Sequence, residues 1–156
     1  MSQHRATKRL LTIALAATLV GGWAFAQAPA QEQAVARSAE DPQLKWGPCP
    51  PFMPAGCGLT VLHGDPAKPN ADVFLKLPAK AAIPEHVHTS AERMILVAGE
   101  LSVSYKGQPT TTLKPGMYAY GPAKLPHSAT CGSAPCILFI AFESPVDAIP
   151  AAAAAR

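Results

Sequence analysis

Charge is scarce in this chain and unevenly placed. Only 15% of its 156 residues are Asp, Glu, Lys or Arg, and the formal net charge is +3. That excess comes from Arg5, Lys8 and Arg9; beyond them ten basic residues face ten acidic ones. So even a balance provides no electrostatic footprint for nucleic acid or for an anionic membrane, and neither is expected as a partner. Several chemical signatures are missing as well. There is no G-x-S-x-G elbow, no P-loop and no dinucleotide fingerprint. Neither cysteine spacing is the C-x-x-C of a redox motif or zinc knuckle. From residue 45 onward no stretch reads as a helix.

What is present begins with an export signal. Arg5, Lys8 and Arg9 form a positive head, residues 10–20 an apolar core, and Ala24-Phe25-Ala26 an A-x-A cleavage site. The apolar run is short for a membrane span, which needs ~20 residues. Residues 1–26 are therefore expected to be removed, leaving an exported protein, periplasmic or secreted, with no stable membrane anchor. Residues 27–44, rich in Ala and Gln, read as a flexible linker. One domain is expected over 45–149, and the Ala run of 150–156 reads as a disordered tail with nothing to bury it.

The four cysteines fall in two close pairs, Cys49 with Cys57 and Cys131 with Cys136. Three connectivities are possible. In an oxidising compartment local pairing is the simplest, each bridge closing a small loop and stabilising by roughly 2–3 kcal/mol on the chain-entropy model. The alternative is a thiolate metal ligand or a redox pair.

Four prolines between Trp46 and Cys57 make that stretch an irregular loop or edge segment. Trp46 is a candidate cap for one end of the domain. From Gly58 the pattern turns to β. Strands are expected at 58–63, 72–77, 92–98, 101–105, 110–113, 117–120, 128–131 and 136–142, with Gly or Pro between them. The second pair of long strands, 92–98 with 101–105, reads as a hairpin around Gly99-Glu100, and 128–131 with 136–142 as another. Short strands at this spacing imply an all-β sandwich or barrel.

The densest chemistry lies in 86–99, HVHTSAERMILVAG. On a strand, the two-residue period points His86 and His88 to one face. Glu92 follows after a bend short enough to return its carboxylate to that face. Two imidazoles and a carboxylate on one point are a divalent-metal site in chemical terms.

The stretch resembles the first motif of the cupin superfamily. Gly116, Pro122 and His127 stand at the spacing of the second. The resemblance covers 59–143 and implies a single-domain double-stranded β-helix, a jelly-roll β-barrel. It implies that His86, His88, Glu92 and His127 hold one divalent transition metal, whether Fe, Mn, Ni, Co, Cu or Zn, and that a homodimer can form through the N-terminal arm. Two departures stand out: Lys80 replaces the first motif's leading Gly, and Lys124 and Cys131 stand where a Gly and an Asn are common. These bear on loop shape and pocket rim, since all four ligand positions are intact.

Other residues have plainer readings. His63 reads as a strand-end residue, and Arg93 as pointing away from the metal. Lys124 reads as solvated or at the pocket mouth. Tyr118 and Tyr120 share a strand face and are candidates either for substrate binding inside the barrel or for the core. Four protein ligands leave an octahedral metal two open positions. The expectation is an exported metal-dependent enzyme on a small organic molecule, oxygenation ahead of isomerisation or decarboxylation. The alternative is a non-catalytic module that binds or senses a metal or small ligand.

Overall fold

The computed structural model describes residues 32–154, so the expected signal and the first residues of the linker lie outside it. Within the unit from Val35 onward, eleven strands and one short helix follow in order. They are β1 (Gly47–Pro48), β2 (Gly58–His63), β3 (Ala71–Leu77), β4 (Ala82–Val87), β5 (Glu92–Ala98), β6 (Leu101–Tyr105), β7 (Thr111–Leu113), β8 (Tyr118–Gly121), β9 (His127–Cys131), β10 (Cys136–Phe142), β11 (Ile149–Pro150) and α1 (Ala151–Ala154). They form two antiparallel sheets, β1-β2-β3-β10-β5-β8 and β11-β4-β9-β6-β7. Among the described residues no helix is long and apolar enough to cross a membrane.

Strand alternation builds the core. In β10 the buried set is Cys136, Leu138, Ile140 and Phe142, and in β3 it includes Ala71, Val73, Leu75 and Leu77. These meet Leu101, Val103 and Leu113 from the other sheet. Each such side chain contributes about 1.5–3 kcal/mol on leaving water.

The two expected hairpins around Gly99 and across the second cysteine pair are not hairpins. β5 and β10 lie in one sheet, β6 and β9 in the other. The tight turns are corners at which the chain changes sheets, as a jelly roll requires. Three corners stack at one end of the barrel: Lys80 N donates to Gly132 O (2.7 Å) and Gly132 N to Glu100 O (2.8 Å). The bridge Cys131–Cys136 spans one corner, and Cys49–Cys57 closes the proline-rich arm. No free cysteine remains among the described residues, so the thiolate alternative does not hold.

Three further differences from the sequence reading have local causes. Trp46 does not cap the barrel. It lies against Gly58, with the Lys76 ammonium 4.4 Å above its ring. The C-terminal stretch is not a tail without partners from Pro150 onward: Ile149–Pro150 pairs with Val87 and His86 at the edge of β4, and Ala151–Ala154 is helical. An edge strand tolerates the proline because that position need not donate. Finally, β4 itself was not among the expected strands, because Pro84 and consecutive exposed residues break its alternation.

Lys80 and Lys124 adopt left-handed backbone conformations, φ 63° and 62°. These are the two positions where the resemblance leads one to expect Gly. The chain therefore keeps the Gly-type conformation with a Cβ present, held by the Lys80 bond above and by Lys124 N donating to His88 O (2.9 Å). A left-handed L-residue costs roughly 1–2 kcal/mol, and Gly loses about 0.5–1 kcal/mol more chain entropy on folding. Lys80→Gly and Lys124→Gly are each expected to stabilise by about 0.5–1 kcal/mol net. A urea midpoint that falls in both variants would contradict this.

Candidate metal centre

Four buried polar side chains meet inside the barrel, at the end away from the stacked corners. His86, His88, Glu92 and His127 are each 4–6% exposed. Each gets there for a local reason. Ile83 and His86 both face inward although three positions apart, because β4 shifts register against β9 between them. Pro84, with no N–H to donate, sits in that bulge. His127 pairs directly with His86 across β4 and β9, so their rings lie 4.2 Å apart. Glu92 opens β5 on the face that further along holds Met94 and Leu96, a core position occupied by a carboxylate. Arg93, one residue on, points outward and pairs with Glu143.

The three imidazoles share one device. His86 Nδ1 lies 2.9 Å from Pro84 O, His127 Nδ1 3.1 Å from Leu125 O, and His88 Nδ1 2.5 Å from Asp147 O. Each ring donates its Nδ1 proton to a backbone carbonyl, which fixes the tautomer and leaves Nε2 with its lone pair free. Asp147 is itself fixed, its carboxylate accepting from Thr89 N (3.1 Å) and Thr89 Oγ1. The ligating atoms of the three histidines all lie within 4.8 Å of one another. Glu92 reaches into this group, with Oε1 3.6 Å from His88 Nε2 and Oε2 3.5 Å from His127 Nε2.

These separations are too long for good hydrogen bonds. His88 Nε2 and Glu92 Oε2 are buried with no hydrogen-bond partner. Orphaned polar atoms of this kind are costly. Donors bonded at about 2.1 Å to one ion would lie roughly 3–3.5 Å apart as neighbours, so the residues fit a shared divalent cation.

The electrostatics follow from burial and mutual contact. Burial, aided by the neighbouring His127, pushes His86 down to about 4, so this ring is neutral at pH 7. Burial also acts against charge on Glu92, but the three imidazoles more than offset it and hold the carboxyl below its ordinary value. His127 is raised: Glu92 outweighs the burial that would lower it. The carboxylate is thus ionised, and His86 is ready to ligate without first losing a proton.

Tyr118 and Tyr120 do not line this site. They are 56% and 52% exposed, on the outer face. The register explains it: Tyr118 pairs with Ile95 and Tyr120 with Arg93, both outward, while Gly121 pairs with the inward Glu92. They are neither substrate contacts in the barrel nor core. Lys124 does not reach the inner cavity either, and its side chain is exposed. His63 is the exposed last residue of β2.

Two participants were missed in the sequence. Tyr105 pairs with His127 across β6 and β9, its ring centroid 5.3 Å from the imidazole and its hydroxyl buried without a partner. Burial and Glu92 push that phenol well above its ordinary range. Gly121 makes room for it: a Cβ there would stand 3.0 Å from Tyr105 Cε1. The other is Asp147, 59 residues from the His88 it orients. Strand alternation would have placed Tyr105 inside with Leu101 and Val103; nothing local marks Asp147.

A cavity of about 90 Å³ opens beside the four side chains. Comparison with known proteins bears on the arrangement directly. A cupin-domain family profile matches residues 73–142, which include all four. The protein carries a cupin domain. Solved structures share its fold. The DMSP lyase DddQ from Ruegeria pomeroyi DSS-3 superposes with a TM-score of 0.62 at 19% identity, over 70% of this chain and 62% of that one. An RmlC-like cupin from Shewanella frigidimarina NCIMB 400 gives 0.57 at 22% identity, covering 74% and 96%. An oxalate decarboxylase variant from Bacillus subtilis gives 0.51 at 20% identity, covering 58% and 26%. The chain thus spans less than two thirds of the lyase, and these likenesses speak for the cupin fold alone. No curated protein matches the chain at a significant level.

Proposed function

We propose that the cupin domain holds one divalent transition metal through His86, His88, Glu92 and His127, and that the protein is an exported metal-dependent enzyme acting on a small organic molecule. The observation that carries this reading is the pair of orphaned, buried ligand atoms, His88 Nε2 and Glu92 Oε2, beside three imidazoles whose Nδ1 atoms are already committed. Three imidazoles and a carboxylate suit Fe, Mn, Ni, Co, Cu or Zn. When bound, such a metal supplies Lewis acidity and a position for substrate at the cavity wall. The chain's own residues orient the donors, exclude water and keep Glu92 charged. The two disulfides support export, since such bonds persist in oxidising compartments.

Oxygenation stands ahead of isomerisation or decarboxylation in this reading. A second reading, a module that binds a small ligand without turning it over, draws on one observation. Among the described residues, the cavity wall has no ionisable residue beyond the four proposed ligands and Asp147. Oxygen uptake by the iron-loaded protein across small phenols, diketones and thiols separates the two. Substrate-dependent uptake supports the oxygenase, and its absence across the panel with metal retained would move the account to the binding module.

A further inference from the structure

Side chains that ligate a metal are held by partners of their own. Three of the four here have theirs. Pro84 O, Asp147 O and Leu125 O accept from the Nδ1 atoms of His86, His88 and His127. Glu92 is different. Its oxygens stand 3.6 Å from His88 Nε2 and 3.5 Å from His127 Nε2, the nitrogens left free to ligate. Among the described residues no hydrogen bond reaches Oε2. An ionised carboxylate has about four lone-pair positions. A cation takes only some of them, so a ligating Glu92 still has room for a donor.

Among the described residues three buried side-chain atoms have no hydrogen-bond partner: His88 Nε2, Glu92 Oε2 and the Tyr105 hydroxyl. On the metal reading, on which this inference rests, the nitrogen belongs to the ion. The other two are complementary, since an ionised carboxylate only accepts and a phenol has a proton to give. They also border one spot. A Cβ at Gly121 would stand 3.3 Å from the Tyr105 hydroxyl and 3.6 Å from Glu92 Oε2. The glycine thus keeps the space beside both oxygens open. Strand register sets this up: Gly121 pairs with Glu92 across β5 and β8, and Tyr105 with His127 across β6 and β9. His127 offers the phenol no alternative acceptor, because Nδ1 is committed to Leu125 O and Nε2 faces the ion. Leaving both oxygens unpaired costs more than pairing them.

We propose that Tyr105 is the positioning residue of Glu92: its hydroxyl donates to Glu92 Oε2 beside Gly121 and fixes the carboxylate for the ion. A small shift of the Glu92 side chain or one bridging water joins the two oxygens, and either supplies the same donor. Each of the four ligands then has its own partner, three of them carbonyls and the fourth a phenol.

The test is Tyr105→Phe, which removes the hydroxyl and keeps the ring against His127. Cobalt is titrated into metal-stripped protein by calorimetry. The visible absorption of the bound cobalt and the urea midpoint of the metal-free protein are recorded alongside. The variant is expected to bind cobalt at least about tenfold more weakly than wild type, with altered absorption. Its metal-free midpoint should stay level or rise, because an unpaired buried hydroxyl has gone. Unchanged affinity or unchanged absorption would each overturn the role of Tyr105 while the metal reading stands. A metal-free midpoint that falls would make Tyr105 a structural residue and overturn the role as well. No cobalt uptake by the wild-type protein would remove the metal reading and this inference together. Glu92→Ala separates the two ligands that Tyr105 adjoins. It leaves the three histidines, and adding Tyr105→Phe to it should weaken cobalt binding no further. A second loss of about tenfold there would show the hydroxyl acting on His127, against the assignment to Glu92.

Discussion

His127→Ala is expected to abolish tight divalent-metal binding and with it the thermal stabilisation that metal confers on the wild-type protein. His127 is the hub of the cluster: its ring stands 4.2 Å from that of His86 and 5.2 Å from that of His88, and its Nε2 is 3.5 Å from Glu92. Loss of an outer partner of a ligand typically costs about 10–100-fold in metal affinity, and loss of a ligand should exceed that. The binding energy of the metal adds to stability only while the site exists. A melting-temperature series with and without cobalt therefore reads the same event independently of elemental analysis. Arg93→Ala is the control. It removes a charge one residue from Glu92, but on the outer face, and should retain wild-type metal content. A His127→Ala variant with a full equivalent of metal and an undiminished shift would remove His127 from the site.

Gly99→Ala is expected to cause the largest loss of stability of any single methyl addition in the barrel. Gly99 has φ 83°, and a Cβ there would stand 2.5 Å from Pro135 O and 3.0 Å from Cys136 Cα. Both obstacles are backbone, pinned by the Cys131–Cys136 bridge and the stacked corners, so neither can move away cheaply. The conformational penalty of about 1–2 kcal/mol adds to an overpacking cost of about 1–3 kcal/mol. Together they take a large part of the roughly 5–15 kcal/mol that a domain of this kind has. Gly107→Ala isolates the first component, since its φ is 80° and a Cβ there meets nothing within 4 Å. Thermal unfolding should rank wild type, Gly107→Ala and Gly99→Ala in falling order. Equal losses in the two variants would show that the corner is looser than its contacts imply.

Much of this architecture was legible in the residues, for identifiable reasons. The strand positions follow from period-two alternation bounded by Gly and Pro, and β10 reads directly from CILFIAF because every second residue is core. What alternation cannot supply is which strands pair. Gly99-Glu100 looks like a hairpin turn and is a change of sheet, because the corner is decided by contacts with 132–135, more than thirty residues away. Local cysteine pairing was readable for the converse reason, since each bridge closes a loop of few residues.

The site divides along the same line. His86, His88, Glu92 and His127 were visible as residue types at a spacing, and the structure brings the four side chains together. Their supporting contacts were hidden. The carbonyl that orients His88 belongs to Asp147, and Tyr105 reaches His127 only through the β6–β9 register. Tyr118 and Tyr120 misled because a shared strand face is evident in sequence, while the choice between inside and outside is not. Here Gly121, opposite Glu92, sets the inward phase and sends both tyrosines out. The lysines at 80 and 124 looked like breaks in a pattern. Their φ values show the pattern's backbone kept with a different residue on it.

The central claim is that these four side chains form one metal site. Its most direct measurement is calorimetric titration of metal-stripped protein with cobalt, with histidine ring signals followed by NMR during the same titration. The account predicts a single equivalent per chain, with the resonances of His86, His88 and His127 changing together and that of His63 unaffected. Binding that leaves those three rings unperturbed, or no saturable binding at all, would contradict it.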